Sequence, residues 1–130
     1  MSWFSELFSG GDERRLKQGM KAANSGQPEM AIQQYDAILA TTNDADLRTR
    51  CLLNRALAYS AMGDISRAEW DLKSVLSEAS TAGTVQAIAR EKLARIRKRS
   101  DRAKERIESV RLQERHPEEA PSDHEERRDS

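Results

Sequence analysis

The chain has 130 residues, of which 37% are hydrophobic and 34% charged, and its formal net charge at pH 7 is zero. That length accommodates one small domain with tails, and zero net charge gives no overall attraction to nucleic acid or anionic lipid. The single cysteine, Cys51, excludes an internal disulfide and is compatible with a reducing cytosol. No apolar run approaches the roughly 18 residues of a membrane span, and the start MSWFSELFSGG has no basic lead or apolar block of a secretory signal. A cytoplasmic location is therefore expected.

Residues 1–11 predict a short amphipathic N-terminal segment. Four apolar residues share one face of its helix: Trp3, Phe4, Leu7 and Phe8. Gly10-Gly11 is expected to end this helix and to act as a flexible joint. A helix of about eight residues is unstable alone in water, so it needs a surface to lie on. That surface could be its own domain, a partner protein or a membrane interface. Strong attraction to anionic lipid is disfavoured, because Glu6 is the only charge on the polar face.

Residues 12–42 have the pattern of two helices joined by a turn. Asp12 is a predicted N-cap for the first helix. The polar stretch 24–27 breaks that helix, and Pro28 suits the first turn of the next, where its missing N–H has no helical partner. The second helix has an apolar stripe at helical spacing: Ala31, Ile32, Tyr35, Ile38 and Leu39. The stretch therefore predicts an antiparallel helical hairpin.

A second hairpin is predicted over residues 46–80, after the polar connector 41–46. Its first helix carries five apolar residues: Leu52, Leu53, Ala56, Leu57 and Tyr59. Met62-Gly63-Asp64 is expected to end that helix in a tight turn. The second helix has its own stripe, formed by Ala68, Leu72, Val75 and Leu76.

The two hairpins place similar residues at a constant interval of 37 positions. The matching pairs are Gly26 and Gly63, Ala31 and Ala68, Tyr35 and Leu72, Ile38 and Val75, and Leu39 and Leu76. A helical hairpin that recurs at such an interval is typical of a solenoid.

A third helical pattern begins at about residue 83 and suits a capping helix, which closes the end of a repeat array. Its apolar face is formed by Val85, Ile88, Ala89, Leu93 and Ile96. Residues 12–99 would then form one helical domain, and 100–115 a charged helical extension. Residues 116–130 have no apolar periodicity, which predicts a disordered acidic tail. The expected fold class is all-α.

The hairpins resemble the tetratricopeptide repeat (TPR) family over residues 12–82. The resembling residues are Asn54 to Tyr59, Gly63-Asp64 and Ala68 in the second hairpin, and Gly19, Ala22, Gly26, Ala31 and Tyr35 in the first. The resemblance implies a right-handed solenoid of antiparallel helical hairpins with a long C-terminal helix. The chain departs from the family pattern at its tryptophan, replaced by Arg15 and Leu52, and at its closing proline, replaced by Asn43 and Ser80. Its interval is also three residues longer than the family's period of about 34.

The resemblance implies a binding site as well, because the first helix of each TPR hairpin lines a concave face that binds peptides or helices. The positions that carry over are Leu16, Met20, Arg50, Leu53, Asn54, Leu57 and Ala61. Leu53 and Leu57 form a second apolar stripe, beyond what one partner helix needs, and they could instead pack on the first hairpin or the capping helix. The expected function is a protein-interaction module, an adaptor or scaffold that binds a peptide or an amphipathic helix.

The N-terminal segment suggests two further roles for its apolar face. Trp3, Phe4, Leu7 and Phe8 could occupy the groove of the same chain or of a second copy. The alternative function is a peripheral membrane or assembly factor anchored by that face.

Charge and chemistry give little support to other functions. Residues 90–106 carry nine basic and three acidic side chains, but the run has no interleaved aromatic residue and an acidic tail follows it, so a solvated, self-neutralising helix is favoured over nucleic-acid binding. His116 and His124 have no cysteine partners, which argues against a metal site. Cys51 has no histidine within its helix and is expected to be a buried thiol. We expect no catalytic residue, no cofactor and no enzymatic activity.

Overall fold

The computed structural model describes residues 2–78 and 81–115, and the side chains of residues 10–78 and 81–115. These residues form five α-helices: α1 (Ser2–Asn24), α2 (Pro28–Leu39), α3 (Ala45–Ala61), α4 (Ile65–Ser77) and α5 (Gly83–Arg115). The described residues contain no strand, which confirms the all-α class. Within the same ranges, no helix has both the length and the apolar character needed to cross a membrane.

Helix α1 differs from the prediction at its N-terminal end. It runs from Ser2 to Asn24 without a break at Gly10-Gly11, so the predicted joint there and the N-cap role of Asp12 are both wrong. Neither glycine has a positive φ, and glycine inside a helix costs only about 1 kcal/mol relative to alanine. The Asp12 carboxylate instead lies 3.6 Å from the Arg15 guanidinium one turn further on. The side chains of Trp3, Phe4, Leu7 and Phe8 lie outside the described residues.

The two predicted glycine turns have the same geometry. Gly26 and Gly63 have φ values of 76° and 82°, in the left-handed region that glycine occupies without a Cβ clash. After each glycine the next N–H reaches back to the preceding helix: Gln27 donates to the Ala22 carbonyl and Asp64 to the Tyr59 carbonyl, both at 2.9 Å. This pattern is the Schellman motif, which satisfies carbonyls left open at a helix end.

Side-chain caps mark the start of the next helices. The Asp44 carboxylate accepts hydrogen bonds from the N–H groups of Asp46 and Leu47 at the start of α3. The Asp64 carboxylate accepts from the Arg67 N–H at the start of α4. Each cap satisfies N–H groups that have no partner inside the helix, so both helices begin where the aspartate stands.

The buried residues form two hydrophobic clusters. The first joins α1, α2 and α3: Leu16, Ala31, Tyr35, Ile38, Leu47, Cys51 and Ala58. The second joins α3, α4 and the start of α5: Ala56, Ala68, Leu72, Val75, Ala89, Leu93 and Ile96. Helix α3 therefore contributes to both clusters. Ile88, predicted on the packed face of α5, is exposed instead.

Burial follows the interval of 37 positions. Both members of three pairs are fully buried: Ala31 with Ala68, Tyr35 with Leu72, and Ile38 with Val75. The fourth pair, Leu39 and Leu76, is half-buried at both positions. Residues at matching positions therefore occupy matching environments in the two helix pairs.

The chain divides into two compact units after Ile96. Residues Met1–Ile96 belong to the first unit, which holds both clusters. The second unit begins at Arg97, and its described residues, 97–115, are all helical.

A candidate binding groove

An apolar groove of about 430 Å³ lies in the first unit, where the end of α1, the start of α2 and the second half of α3 meet. Ten residues line it: Met20, Ala23, Asn24, Gly26, Pro28, Tyr35, Asn54, Leu57, Ala58 and Ala61. Seven of them are Met, Ala, Pro, Tyr or Leu, of which Tyr35 and Ala58 are buried beneath the groove surface, and the two asparagines offer amides. The arrangement suits apolar side chains with a small number of polar anchors.

The floor of the groove depends on a close approach between α1 and α2. Tyr35 is fully buried and packs against Gly19 of α1. A Cβ on Gly19 would lie 2.5 Å from Tyr35 Cε1, closer than carbon atoms can approach, so only glycine fits there. Burial raises the pKa of the Tyr35 hydroxyl to about 12, so it stays protonated at neutral pH.

Two large apolar side chains remain exposed at the groove. Met20 on α1 is 42% exposed and Leu57 on α3 is 38% exposed, and the two residues are 37 positions apart. Methionine is unbranched and flexible, so it can adapt to different apolar partners. The Asn54 amide donates to the Arg50 carbonyl at 2.8 Å, which fixes its orientation on α3.

The structure brings together four of the seven positions predicted for partner binding: Met20, Asn54, Leu57 and Ala61. Leu16 does not line the groove, because it is buried in the first cluster. Leu53 does not line it either; it packs against the second cluster. On a helix with 3.6 residues per turn, Leu53 lies roughly 40° from Leu57, on the side of Ala56. The predicted second stripe is therefore divided between a core contact and the groove.

Arg50, the remaining predicted position, forms ion pairs outside the groove lining. Its Nη2 lies 2.7 Å from Glu13 Oε1 on α1, and its Nε lies 3.1 Å from Asp46 Oδ2 one turn earlier on α3. The hydrogen bond from Arg50 lowers the pKa of the Glu13 carboxyl. Glu13 and Arg50 are also 37 positions apart, so this pair joins matching positions of the two hairpins.

A buried ion pair between α3 and α4 was not predicted from the sequence. Arg55 on α3 donates two hydrogen bonds of 2.8 Å to the Asp71 carboxylate on α4 and one of 2.9 Å to Asp36 on α2. Asp71 is only 1% exposed. The bond to Asp71 raises the pKa of Arg55 further above its usual range. The spacing of Asp71, three residues after Ala68 and four before Val75, is a signal that it faces the core, although it does not identify Arg55 as the partner that a buried carboxylate needs.

The Tyr59 ring lies close to two guanidinium groups, one from Arg55 and one from Arg67. The Arg55 and Arg67 Cζ atoms are 5.6 and 5.7 Å from the centre of its ring. At these distances a cation is attracted to the negative face of an aromatic ring. Tyr59 therefore helps to hold α3 against the start of α4.

Six groove residues were missed by the sequence analysis: Ala23, Asn24, Gly26, Pro28, Tyr35 and Ala58. Four of them lie in or beside the turn between α1 and α2, for which the sequence predicts only a connection between helices. Cys51 is buried in the first cluster, and desolvation raises the pKa of its thiol to about 11. In residues 2–78 and 81–115, no group of three or more His, Cys, Asp or Glu side chains could hold a metal ion.

Comparison of the chain with models of protein families, with curated proteins and with solved structures finds no match.

Proposed function

We propose that this protein is an interaction module whose groove binds one face of an amphipathic helix from a protein partner. The observation that carries the proposal is the groove itself: an apolar concavity with Met20 and Leu57 exposed at its surface. A helix that presents apolar residues at i, i+3 and i+4 would place them in such a concavity.

The polar residues of the groove indicate which kind of partner helix it prefers. Asn24 and Asn54 lie on α1 and α3, on different walls. An amide can both donate and accept, so the two asparagines can bond to polar side chains at the edges of a docked helix. The groove then favours a helix with a narrow apolar stripe and uncharged polar edges.

We also propose that α1–α2 and α3–α4 are two copies of one TPR-like hairpin. The proposal is supported by the two glycine turns with the same hydrogen bonds, by the matched burial at 37 positions, and by the Glu13–Arg50 ion pair between matching positions. In this arrangement α1 and α3 are the first helices of their hairpins, and the groove lies between them.

The helix-binding function can be tested with a displayed library of helical peptides selected against the full chain. Wild type is expected to enrich peptides with apolar residues at i, i+3 and i+4. Leu57→Asp places a carboxylate in the groove, and it should weaken binding of those peptides at least tenfold, about 1.4 kcal/mol. Met30→Asp is the matched control, because Met30 is an exposed methionine outside the groove lining. Equal binding of the selected peptides by wild type and Leu57→Asp would contradict the proposal that the groove is the binding site.

The N-terminal segment is one candidate occupant, and the length of α1 favours its docking from a second copy. Residues 8 and 20 are twelve residues apart on one continuous helix, a rise of roughly 18 Å. The segment therefore lies at the opposite end of α1 from Met20. Trp3 fluorescence in a Trp70→Phe background should shift with protein concentration and should lose that shift in Leu57→Asp. A spectrum that is independent of concentration in both variants would exclude this occupant.

A further inference from the structure

Helix α5 carries an unpartnered apolar seam in the second unit. Ile107 and Val110 are 53% and 52% exposed. With Ser100 and Ala103 they follow a spacing of three, four and three residues, the a and d spacing of a coiled coil. All described residues of this unit are exposed except Ser100, which is half-buried. We define the seam as Ser100, Ala103, Ile107 and Val110.

Basic side chains border the seam on both sides. At roughly 100° per residue, Arg99 and Arg106 lie along one border, and Lys104 and Arg111 along the other. Asp101, Glu105 and Glu108 lie away from the seam, toward the opposite face of the helix. Glu114, four residues after Val110, lies in line with the seam at its C-terminal end. From Arg99 to Arg111 charge is therefore segregated around the helix, with the positive side chains next to the apolar stripe.

These charges form no direct ion pair within the described part of the second unit. In the described residues 97–115, no Lys or Arg nitrogen lies within 4.0 Å of an Asp or Glu oxygen. Earlier on α5, in the first unit, Glu91 and Arg95 do form such a pair at 2.7 Å. The self-neutralising helix expected from the sequence stays a prediction, because it also involves acidic residues after residue 115, which lie outside the described residues. Within residues 97–115 the basic borders have no direct ion-pair partner.

We infer that the seam binds an acidic amphipathic helix of another protein, as a two-stranded coiled coil with Asp or Glu along the partner's borders. Charge complementarity selects this occupant. The border positions are the e and g positions that set partner choice in coiled coils; the four from Arg99 to Arg111 are positive, and the next, Gln113, is neutral. A second copy of α5 would place positive borders against positive borders in either orientation, which opposes self-association.

The seam is narrow, which favours a helix over a lipid surface as its binding partner. Its centre holds two large aliphatic residues, one alanine and one serine, without an aromatic residue. Interfacial helices bury a broad apolar face, typically with Trp, Phe or Leu. A two-residue aliphatic strip matches the narrow a and d seam that one partner helix covers.

The inference can be tested with two synthetic heptad peptides added to the full chain. Both have Leu and Ile at the seam positions; one has Glu at every border position and the other has Lys. The Glu peptide should bind at least about tenfold more tightly, by an amount that decreases from 50 to 500 mM NaCl. Arg106→Glu with Arg111→Glu should reverse the preference. Arg102→Glu is the matched control, because Arg102 lies on the side of the helix away from the seam.

Each alternative occupant has its own readout in the same experiment. Equal binding of the two peptides would overturn the inference. Concentration-dependent dimerisation of the wild type would also overturn it, if Ile107→Asp abolishes the dimer. The same holds if neither peptide binds and the wild type instead binds vesicles of phosphatidylserine and phosphatidylcholine in a way that Ile107→Asp abolishes. Leu57→Asp should leave binding of the Glu peptide unchanged, so the result is independent of the groove.

Discussion

The two hairpins of the first unit have matching helices and turns but different side chains at matching buried positions. In α1–α2, Gly19 faces Tyr35; at the matching positions of α3–α4, Ala56 and Leu72 are both buried. A larger side chain on one helix is thus accompanied by a smaller one on the other. The comparison shows that total volume at the contact is maintained while the residues that supply it change, as close-packed interiors require.

The hairpins also differ in their polar contacts. Arg55 and Asp71 form the buried ion pair of α3–α4, and the matching positions in α1–α2 are Gln18 and Gln34. Gln18 is exposed and Gln34 half-buried. The second hairpin therefore has a buried charge pair where the first has two glutamines that form no such pair.

The largest expected effect comes from removing the buried partner of Arg55. Asp71→Ala should lower the free energy of unfolding by about 3 kcal/mol, because it removes two charge-assisted hydrogen bonds, each worth about 1.5 to 3 kcal/mol, and leaves Arg55 only its bond to the exposed Asp36. Urea denaturation followed by circular dichroism measures this. Asp36→Ala removes the exposed partner of the same arginine and should cost less than about 1 kcal/mol. A loss of similar size in both variants would contradict the buried-pair account.

The next effect tests the packing of the first hairpin. Gly19→Ala should destabilise the protein by about 1 to 3 kcal/mol, because the new Cβ overlaps the Tyr35 ring. At an ordinary helical site the same change would stabilise the helix by about 1 kcal/mol. Adding Tyr35→Leu to Gly19→Ala recreates the pair of the second hairpin and should recover part of the loss. No recovery in the double variant would show that the two positions do not compensate.

A smaller effect is a loss of stability at alkaline pH, which is expected from the first cluster. The first cluster holds Tyr35 and Cys51, whose pKa values are raised to about 12 and about 11 by burial. Because both groups bind their protons more tightly when folded, their contribution is complete below the unfolded pKa values of about 10 and about 9 and is lost as pH rises through 11 and 12. The urea midpoint should fall between pH 9 and 12. Tyr35→Phe should reduce that fall; an unchanged slope would contradict the assignment.

The smallest effect concerns the ion pair between the hairpins. The pKa of Glu13 is lowered by Arg50, so its contribution is present above the unfolded pKa of about 4.5 and is lost as pH falls through the folded value. Both side chains are substantially exposed, so Glu13→Gln should cost less than about 1 kcal/mol at pH 7. The difference between variant and wild type should vanish at pH 3. A difference in the free energy of unfolding that persists at pH 3 would show that it arises from packing rather than from charge.

The sequence predicted what depends on local chemistry. The turns at Gly26 and Gly63 were confirmed, because a glycine at a helix end predicts a positive φ. The buried pairs 37 residues apart were confirmed as well, because the spacing of apolar residues predicts the buried face of each helix. Gly10-Gly11 was interpreted wrongly, since two glycines weaken a helix but do not by themselves end it.

The groove was only partly predictable because its position depends on how three helices meet. Leu53 and Leu57 belong to one stripe in the sequence, yet the packing of α3 places them against different surroundings. Arg55 and Asp71 are sixteen residues apart, and no local pattern links them. Both outcomes follow from the tertiary contacts of α3 with its neighbours on two sides.

The central claim, that the groove binds a helix, is tested most directly by NMR of ¹³C-methyl methionine in the full chain. Met20 lines the groove, whereas Met30 is exposed elsewhere on α2. Titration with a selected helical peptide should shift the Met20 methyl resonance and leave Met30 unchanged, and Leu57→Asp should remove the shift. A bound peptide that leaves Met20 unchanged, or that shifts Met30 equally, would contradict the assignment of the groove as the binding site.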